Sequence, residues 1–223
     1  MIPWVHLDSA RVPGDGGELR LMQRGAEFSI MAGTVELMNS RVRGSEEALA
    51  TLAFERLADR ANPHVLIGGL GMGFTLRAAL AARADAAITV SELVPEVAAW
   101  ARGPLAPVFE GSLDDSRVSL SLGDVGVLIR SASKAYDAIL LDVDNGPDGL
   151  SRKGNDGLYT EKGLRAARAA LRSRGLLAVW SSHPDAAFTR RLQHSGFGVE
   201  ELTVRANGKR GARHLIWMAR RSD

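Results

Sequence analysis

Cysteine is absent from all 223 residues. That removes disulfides, thiolate metal sites and a cysteine nucleophile, and it fits a reducing compartment. Long apolar runs are absent too: charge or glycine breaks each stretch well short of the roughly 20 residues that span a bilayer. Met1-Ile2-Pro3-Trp4 lacks the basic-then-apolar order of a secretory signal, so the expectation is a soluble cytoplasmic protein without membrane contact. Net charge is small, with 28 Lys+Arg against 26 Asp+Glu and a formal balance of +2. Such a balance argues neither for nor against an anionic partner. The five histidines (6, 64, 183, 194 and 214) show no H-x-x-x-H spacing, and no metal is expected.

What remains is an apolar fraction of 45% and 24 glycines, enough for one α/β domain with a small appendage. From residue 64 onward, short β-branched runs alternate with Ala/Leu/Arg-rich helical patterns, which signals successive βα units and a parallel sheet. Strands are predicted at 64–68, 87–92, 117–121, 136–142, 175–181, 197–204 and 213–219, and helices at 73–83, 94–102, 124–132, 160–173 and 184–195. The last two strands are joined only by Arg205-Ala206-Asn207-Gly208-Lys209. A link that short forces them antiparallel, and Asn-Gly is a hairpin turn signal. The pattern resembles the Rossmann-like class I S-adenosylmethionine (SAM)-dependent methyltransferase fold, a seven-stranded sheet in which strand 7 lies antiparallel beside strand 5.

The first 60 residues differ. Strands 18–23 and 26–31 flank Arg24-Gly25 as a β-hairpin, a third short strand is expected at 34–38, and residues 1–16 read as an irregular arm. Ser45 is expected to cap a helix running to about Asp59, with Glu46 and Glu47 in its first turn. The expected division is therefore 1–60 for arm, hairpin and helix, and 61–223 for a SAM-binding catalytic domain.

Four glycines of Gly68-Gly69-Leu70-Gly71-Met72-Gly73 follow the first predicted strand of that domain and precede a helix. Gly68, Gly69, Gly71 and Gly73 let the backbone approach a ligand, although tight strand-to-helix turns also use glycine for packing. The spacing is not the G-x-G-x-x-G of a nicotinamide site, and no G-K-[ST] phosphate loop is present. Glu92 ends the second predicted strand, 21 residues past Gly71, where a carboxylate can accept both ribose hydroxyls of a nucleoside. Asp124, after the third strand, can accept the amine of adenine or cap the following helix. Asp142 closes the buried run Tyr136–Leu141, with Asp144 and Asn145 just beyond. Strand ends at this switch point carry reacting groups, and a carboxylate there can orient an amine or take its proton. Tyr159 could line the same pocket. His183 could face it as a base or serve as an ordinary loop histidine.

The order of these motifs, from the glycine loop through Glu92, Gly123-Asp124, Tyr136-Asp137, Asp142, Leu158-Tyr159-Thr160 and Gly175-Leu176-Leu177, resembles the spermidine synthase (polyamine aminopropyltransferase) family over roughly residues 18–204. The resemblance implies that Gly68 to Gly73 and Glu92 hold a nucleoside, that Asp124 contacts adenine and that Asp142 helps deprotonate an attacking amine. Departures are equally specific. Gly71 stands where the family carries an Asp, Asn145 replaces its second strand-4 Asp, and the Gln after strand 5 is replaced around Trp180-Ser181-Ser182. The family's Tyr-His-Glu corresponds to Ser45-Glu46-Glu47, which leaves Glu47 as the retained substrate-binding acid.

The expectation from sequence is thus an alkyl transferase that uses SAM or decarboxylated SAM. Asp142 and Asp144 are the catalytic residues, Glu47, Asn145 and Tyr159 bind substrate, and the acceptor is a small amine. Methyl transfer is favoured, because the residues that would read an aminopropyl arm are missing. Aminopropyl transfer and a non-catalytic nucleoside-binding scaffold are the alternatives. The basic residues between 190 and 221 read as a solvated face rather than a nucleic-acid surface. Pairing through the N-terminal strands suggests a homodimer.

Overall fold

The computed structural model describes residues 2–14, 17–143, 147, 156–208 and 210–223. Two sheets organise them. The first is antiparallel, in the order β1 (Val5–Arg11), β2 (Glu18–Arg24), β3 (Glu27–Ala32) and β4 (Val35–Asn39). The expected irregular arm is therefore partly a strand. Ala10 faces inward at 3% exposure, and the register shifts between His6 and Asp8, which hides the period-2 pattern from a reading of the sequence. The strand is tied to the body where Trp100 Nε1 donates to Asp8 Oδ2 at 2.7 Å.

Helix α1 (Gly44–Glu55) follows, then β5 (His64–Gly68), α2 (Phe74–Ala82), β6 (Ala87–Glu92), α3 (Pro95–Arg102), the short α4 (Ala106–Phe109), β7 (Val118–Leu122), α5 (Val125–Ser131) and β8 (Tyr136–Leu141). The chain continues through α6 (Asp156–Tyr159), α7 (Glu161–Ala170), β9 (Leu171–Ser181), α8 (Ala186–His194), β10 (Phe197–Asn207) and β11 (Arg210–Arg221). The second sheet runs β10-β11-β9-β8-β5-β6-β7. Strand β11 inserts between β9 and β10 and is antiparallel to both, so the expected position of the seventh strand of this sheet holds.

Covering both faces of a parallel sheet buries its central strands completely, which is why they read as continuous apolar runs. All six residues of β8 are buried, as are the last seven of β9. Helix α1 packs on α2 and against β10 and β9, closing one face of this sheet. It does not start as expected: Arg43 occupies the cap position, Ser45 lies inside the helix, and the Ser45 hydroxyl is used elsewhere. No described helix is long and apolar enough to cross a membrane.

Candidate active site

The site lies at the carboxyl ends of β5, β6 and β8, where an open α/β sheet leaves a crevice. Turning from β5 into α2 requires Gly69, Gly71 and Gly73 at φ of +92°, +52° and +79°, backbone conformations that a Cβ strains. The three differ in what surrounds them. A Cβ on Gly69 would stand 2.2 Å from the Asp142 carbonyl, and one on Gly73 would stand 2.5 Å from the Phe109 ring. These two serve the protein's own packing. Gly71 meets only the Met38 sulfur of β4, at 3.3 Å, so the first sheet overhangs the loop there.

Glu92 is 8% exposed at the end of β6. Its Oε2 accepts from the Leu70 N–H at 3.0 Å and its Oε1 from the Val94 N–H at 2.8 Å. Burial raises its pKa, and the backbone donors oppose that rise. The carboxylate is thereby fixed in one orientation against the glycine loop, with lone pairs to spare for a diol. Asp124 caps α5 by accepting from the Gly126 N–H at 2.7 Å, and Arg130 approaches its other oxygen at 3.3 Å. Leu122 and Val127, both 55% exposed, flank it with apolar surface unusual for such large side chains.

Asp142 follows β8, and its N–H donates to the Gly68 carbonyl at 2.9 Å. Its Oδ2 accepts from the Thr75 hydroxyl at 2.6 Å, and the same hydroxyl lies 3.3 Å from the Glu46 carbonyl. Thr75 therefore joins the start of α1 to the end of β8. Burial pushes the Asp142 carboxyl up to about 6. Glu46 is pushed up to about 7, first by burial and next by the charge of Asp142. Neither acid forms an ion pair among the described residues. Two facing acids without a cation make a site for a cationic group.

Glu46, which sequence reasoning passed over, thus stands beside Asp142. Glu47 lies elsewhere, pairing with Arg43 at 3.3 Å and bordering a separate cavity of about 760 Å³ with Thr51, Arg77 and Phe109. Asp144 and Asn145 lie outside the described residues. Tyr159 is buried with its ring edge-on to Phe188, and its hydroxyl is 3.5 Å from the Val143 carbonyl, so it backs the segment after Asp142. Asp137 is a structural group, accepting from the His64 N–H at 2.9 Å and from Arg172 at 2.6 Å. His183 lies close enough to His214 for its charge to depress that residue's pKa, although burial depresses it more. Among the described residues no group of three potential ligands could hold a metal ion.

The strand order and the antiparallel β11 define a Rossmann-like α/β fold of the kind seen in class I SAM-dependent methyltransferases. No protein-family model matches the chain. Within the class it is similar to polyamine aminopropyltransferases. It is 31% identical to that of Sulfolobus acidocaldarius over 121 residues, 54% of this chain and 39% of the relative. It is 30% identical to polyamine aminopropyltransferase 1 of Streptomyces coelicolor over 152 residues, 64% of this chain and 28% of the relative. The matched region therefore spans well under half the length of these curated relatives. Among solved structures, spermidine synthase from Thermotoga maritima gives a TM-score of 0.78 at 18% identity, covering 97% of this chain and 73% of that one. A spermidine synthase bound to the transition-state analogue AdoDATO gives 0.77 at 19% identity, over 97% and 72%. A Burkholderia thailandensis 1,6-didemethyltoxoflavin-N1-methyltransferase gives 0.58 at 20%, over 81% and 80%. At these identities the structural likeness is one of fold.

Proposed function

We propose that the chain is an aminopropyltransferase that uses decarboxylated SAM and a small amine acceptor. Aminopropyl transfer thereby takes the place of methyl transfer as the leading reading. The observation that carries it is the Glu46 carboxyl beside that of Asp142, which accepts from Thr75 next to the glycine loop, with no ion pair to either acid among the described residues, in a chain similar to polyamine aminopropyltransferases. Both partners of such a reaction are cations, and two carboxyls whose ionised forms repel each other gain most from a cationic guest. The missing Asp at Gly71 is offset in this reading by Glu46, which brings a second carboxyl to the pocket from α1.

In this reading residues 61–223 form the nucleoside-binding catalytic domain, and residues 1–60 supply a cover and α1. Glu92 accepts the ribose hydroxyls, Gly71 lets the nucleoside lie against the loop, and Asp124 takes the adenine amine beside Leu122 and Val127. The sulfonium supplies an already activated carbon. Asp142 orients the acceptor in line with it, which is the main service such a transfer needs. As the amine lone pair forms the new C–N bond, the C–S bond breaks with its electrons left on sulfur, and the acid pair takes the proton that nitrogen sheds. Asp144, Asn145 and Tyr159 complete the acceptor side of the proposal, and Glu47, turned to Arg43 and a separate cavity, has no part in it. Two copies pairing through the N-terminal sheet would cover Val5 and Leu7, which are 54% and 38% exposed at its edge. We place the reaction in the cytoplasm.

The test is calorimetric titration with SAM and decarboxylated SAM side by side, followed by turnover with a panel of α,ω-diamines. Tighter binding of the decarboxylated form, with a thioether nucleoside released in step with amine consumption, is the expected result. Preference for SAM would return methyl transfer to the lead. Binding of neither would leave a non-catalytic scaffold.

A further inference from the structure

The acid pair must lose a proton in every cycle, and the structure contains a path for it that the proposed function does not by itself require. Ser45 is fully buried at 0% exposure. Its hydroxyl lies 2.7 Å from Glu46 Oε2 on one side and 2.9 Å from His214 Nδ1 on the other. A buried hydroxyl between a carboxyl and an imidazole is a two-way hydrogen-bond link, since it can donate to either while accepting from the other. His214 sits on β11, its ring 4.8 Å from that of Trp180 at a steep angle, and is only partly buried. The chain therefore runs from the pocket, through α1, to an imidazole on the far side of the helix start.

We propose that Glu46 is the proton acceptor paired with Asp142, and that Ser45 and His214 carry its proton out of the site. This inference rests on the transferase reading above. An amine acceptor arrives as an ammonium ion and fills the open side of the pocket, so a rear exit lets the pair reset while substrate is bound. The transfer balances without a co-reactant. Protonated Glu46 gives its proton to Ser45 Oγ, and Ser45 gives its own to Nδ1 of neutral His214. Glu46 is left as a carboxylate and His214 as an imidazolium, which releases the Nε2 proton to water.

The surroundings suit a relay rather than a store. His214 has its pKa lowered by burial and by the nearby His183, so it passes a proton on readily. The groups facing Glu46 among the described residues are Asp142 after β8, Thr75 on α2, Glu47 and Ser45 on its own helix, and His214 on β11 through Ser45. Glu47 is paired with Arg43, which leaves Asp142 as the main repelling charge.

Four variants test this: Ser45→Ala, which cuts the link; His214→Asn, which keeps a hydrogen-bonding group near Nδ1 but cannot carry a proton; Glu46→Gln; and His214→Gly, which leaves room for added imidazole. With decarboxylated SAM and a diamine, kcat should fall about tenfold or more in each, the usual lower range for a lost proton-transfer group. Nucleoside affinity should stay unchanged in Ser45→Ala and His214→Asn, the ascending limb of the kcat–pH profile should shift, and added imidazole should restore turnover in His214→Gly. Wild-type kcat and an unshifted profile in both Ser45→Ala and His214→Asn would overturn the relay while leaving the transferase reading intact. A wild-type protein that alkylates no amine with either nucleoside would overturn both together. Should Ser45→Ala fail to fold, imidazole rescue of His214→Gly decides alone.

Discussion

Glu46→Gln offers a test of the acid pair that needs no substrate. The Glu46 carboxyl, ordinarily near 4.5, is pushed up to about 7 by burial and then by Asp142. The folded protein therefore holds a proton that the unfolded chain releases, and stability falls as pH rises from about 4.5 through about 7. One pKa unit corresponds to about 1.4 kcal/mol, so the rise from 4.5 to about 7 corresponds to about 3 kcal/mol. Glu46 is partly exposed, and solvent screening reduces this to about 2 kcal/mol. Because Asp142 shares the same repulsion, its own shift is not added to that figure. Glutamine keeps the shape and removes the titration, so the variant should gain about 2 kcal/mol on the wild type between about pH 5 and about pH 8. In urea melts with a slope of about 2 kcal/mol per molar, that is a relative midpoint change of about 1 M. Midpoints for the two proteins that run parallel across the whole range would refute the argument that Glu46 is buried against Asp142.

Further expectations follow from the same geometry. Glu92→Gln should weaken nucleoside binding by about 10–100-fold in calorimetry, since one charged acceptor is lost and the new amide group faces the Leu70 and Val94 donors. Asp142→Asn should leave nucleoside affinity near wild type while lowering kcat by about a hundredfold, read from amine consumption. Gly73→Ala should cost about 2–4 kcal/mol in a denaturant melt, combining left-handed strain with a clash against the buried Phe109 ring. Gly71→Ala, opposed only by the flexible Met38 side chain, should cost less in stability and more in nucleoside binding.

The large sheet was legible because burial on both faces writes itself as uninterrupted apolar runs, and β5, β6 and β8 fall within a residue of their expected bounds. The short link at Asn207-Gly208 leaves the last pair no arrangement but antiparallel, as found. Strand β1 was not legible, since a register shift between His6 and Asp8 breaks its alternation and its first four residues are exposed. Three of the basic residues crowded in the C-terminal third of the sequence bond backbone carbonyls of separate segments. Arg220 bonds carbonyls of Arg56 and Arg174, Arg221 those of Arg168 and Leu171, and Arg205 that of Gly211.

The misreading at the start of α1 concerns function most directly. A serine followed by two acids reads as a cap with a favourable first turn, and that reading makes the acids interchangeable. The helix starts two positions earlier than that reading has it, and successive residues on it are turned by about 100°. That rotation sends Glu47 toward Arg43 and the cavity behind α2, and Glu46 toward Asp142. It also frees Ser45 from capping and places its hydroxyl against His214, on the strand at the far end of the chain. No local pattern encodes a contact across 169 positions, and the acid that matters is fixed by that contact as much as by its own neighbours. The proposed chemistry of the pocket thus reaches to β11, because the strand inserted beside β9 brings His214 to the Ser45 hydroxyl that contacts Glu46.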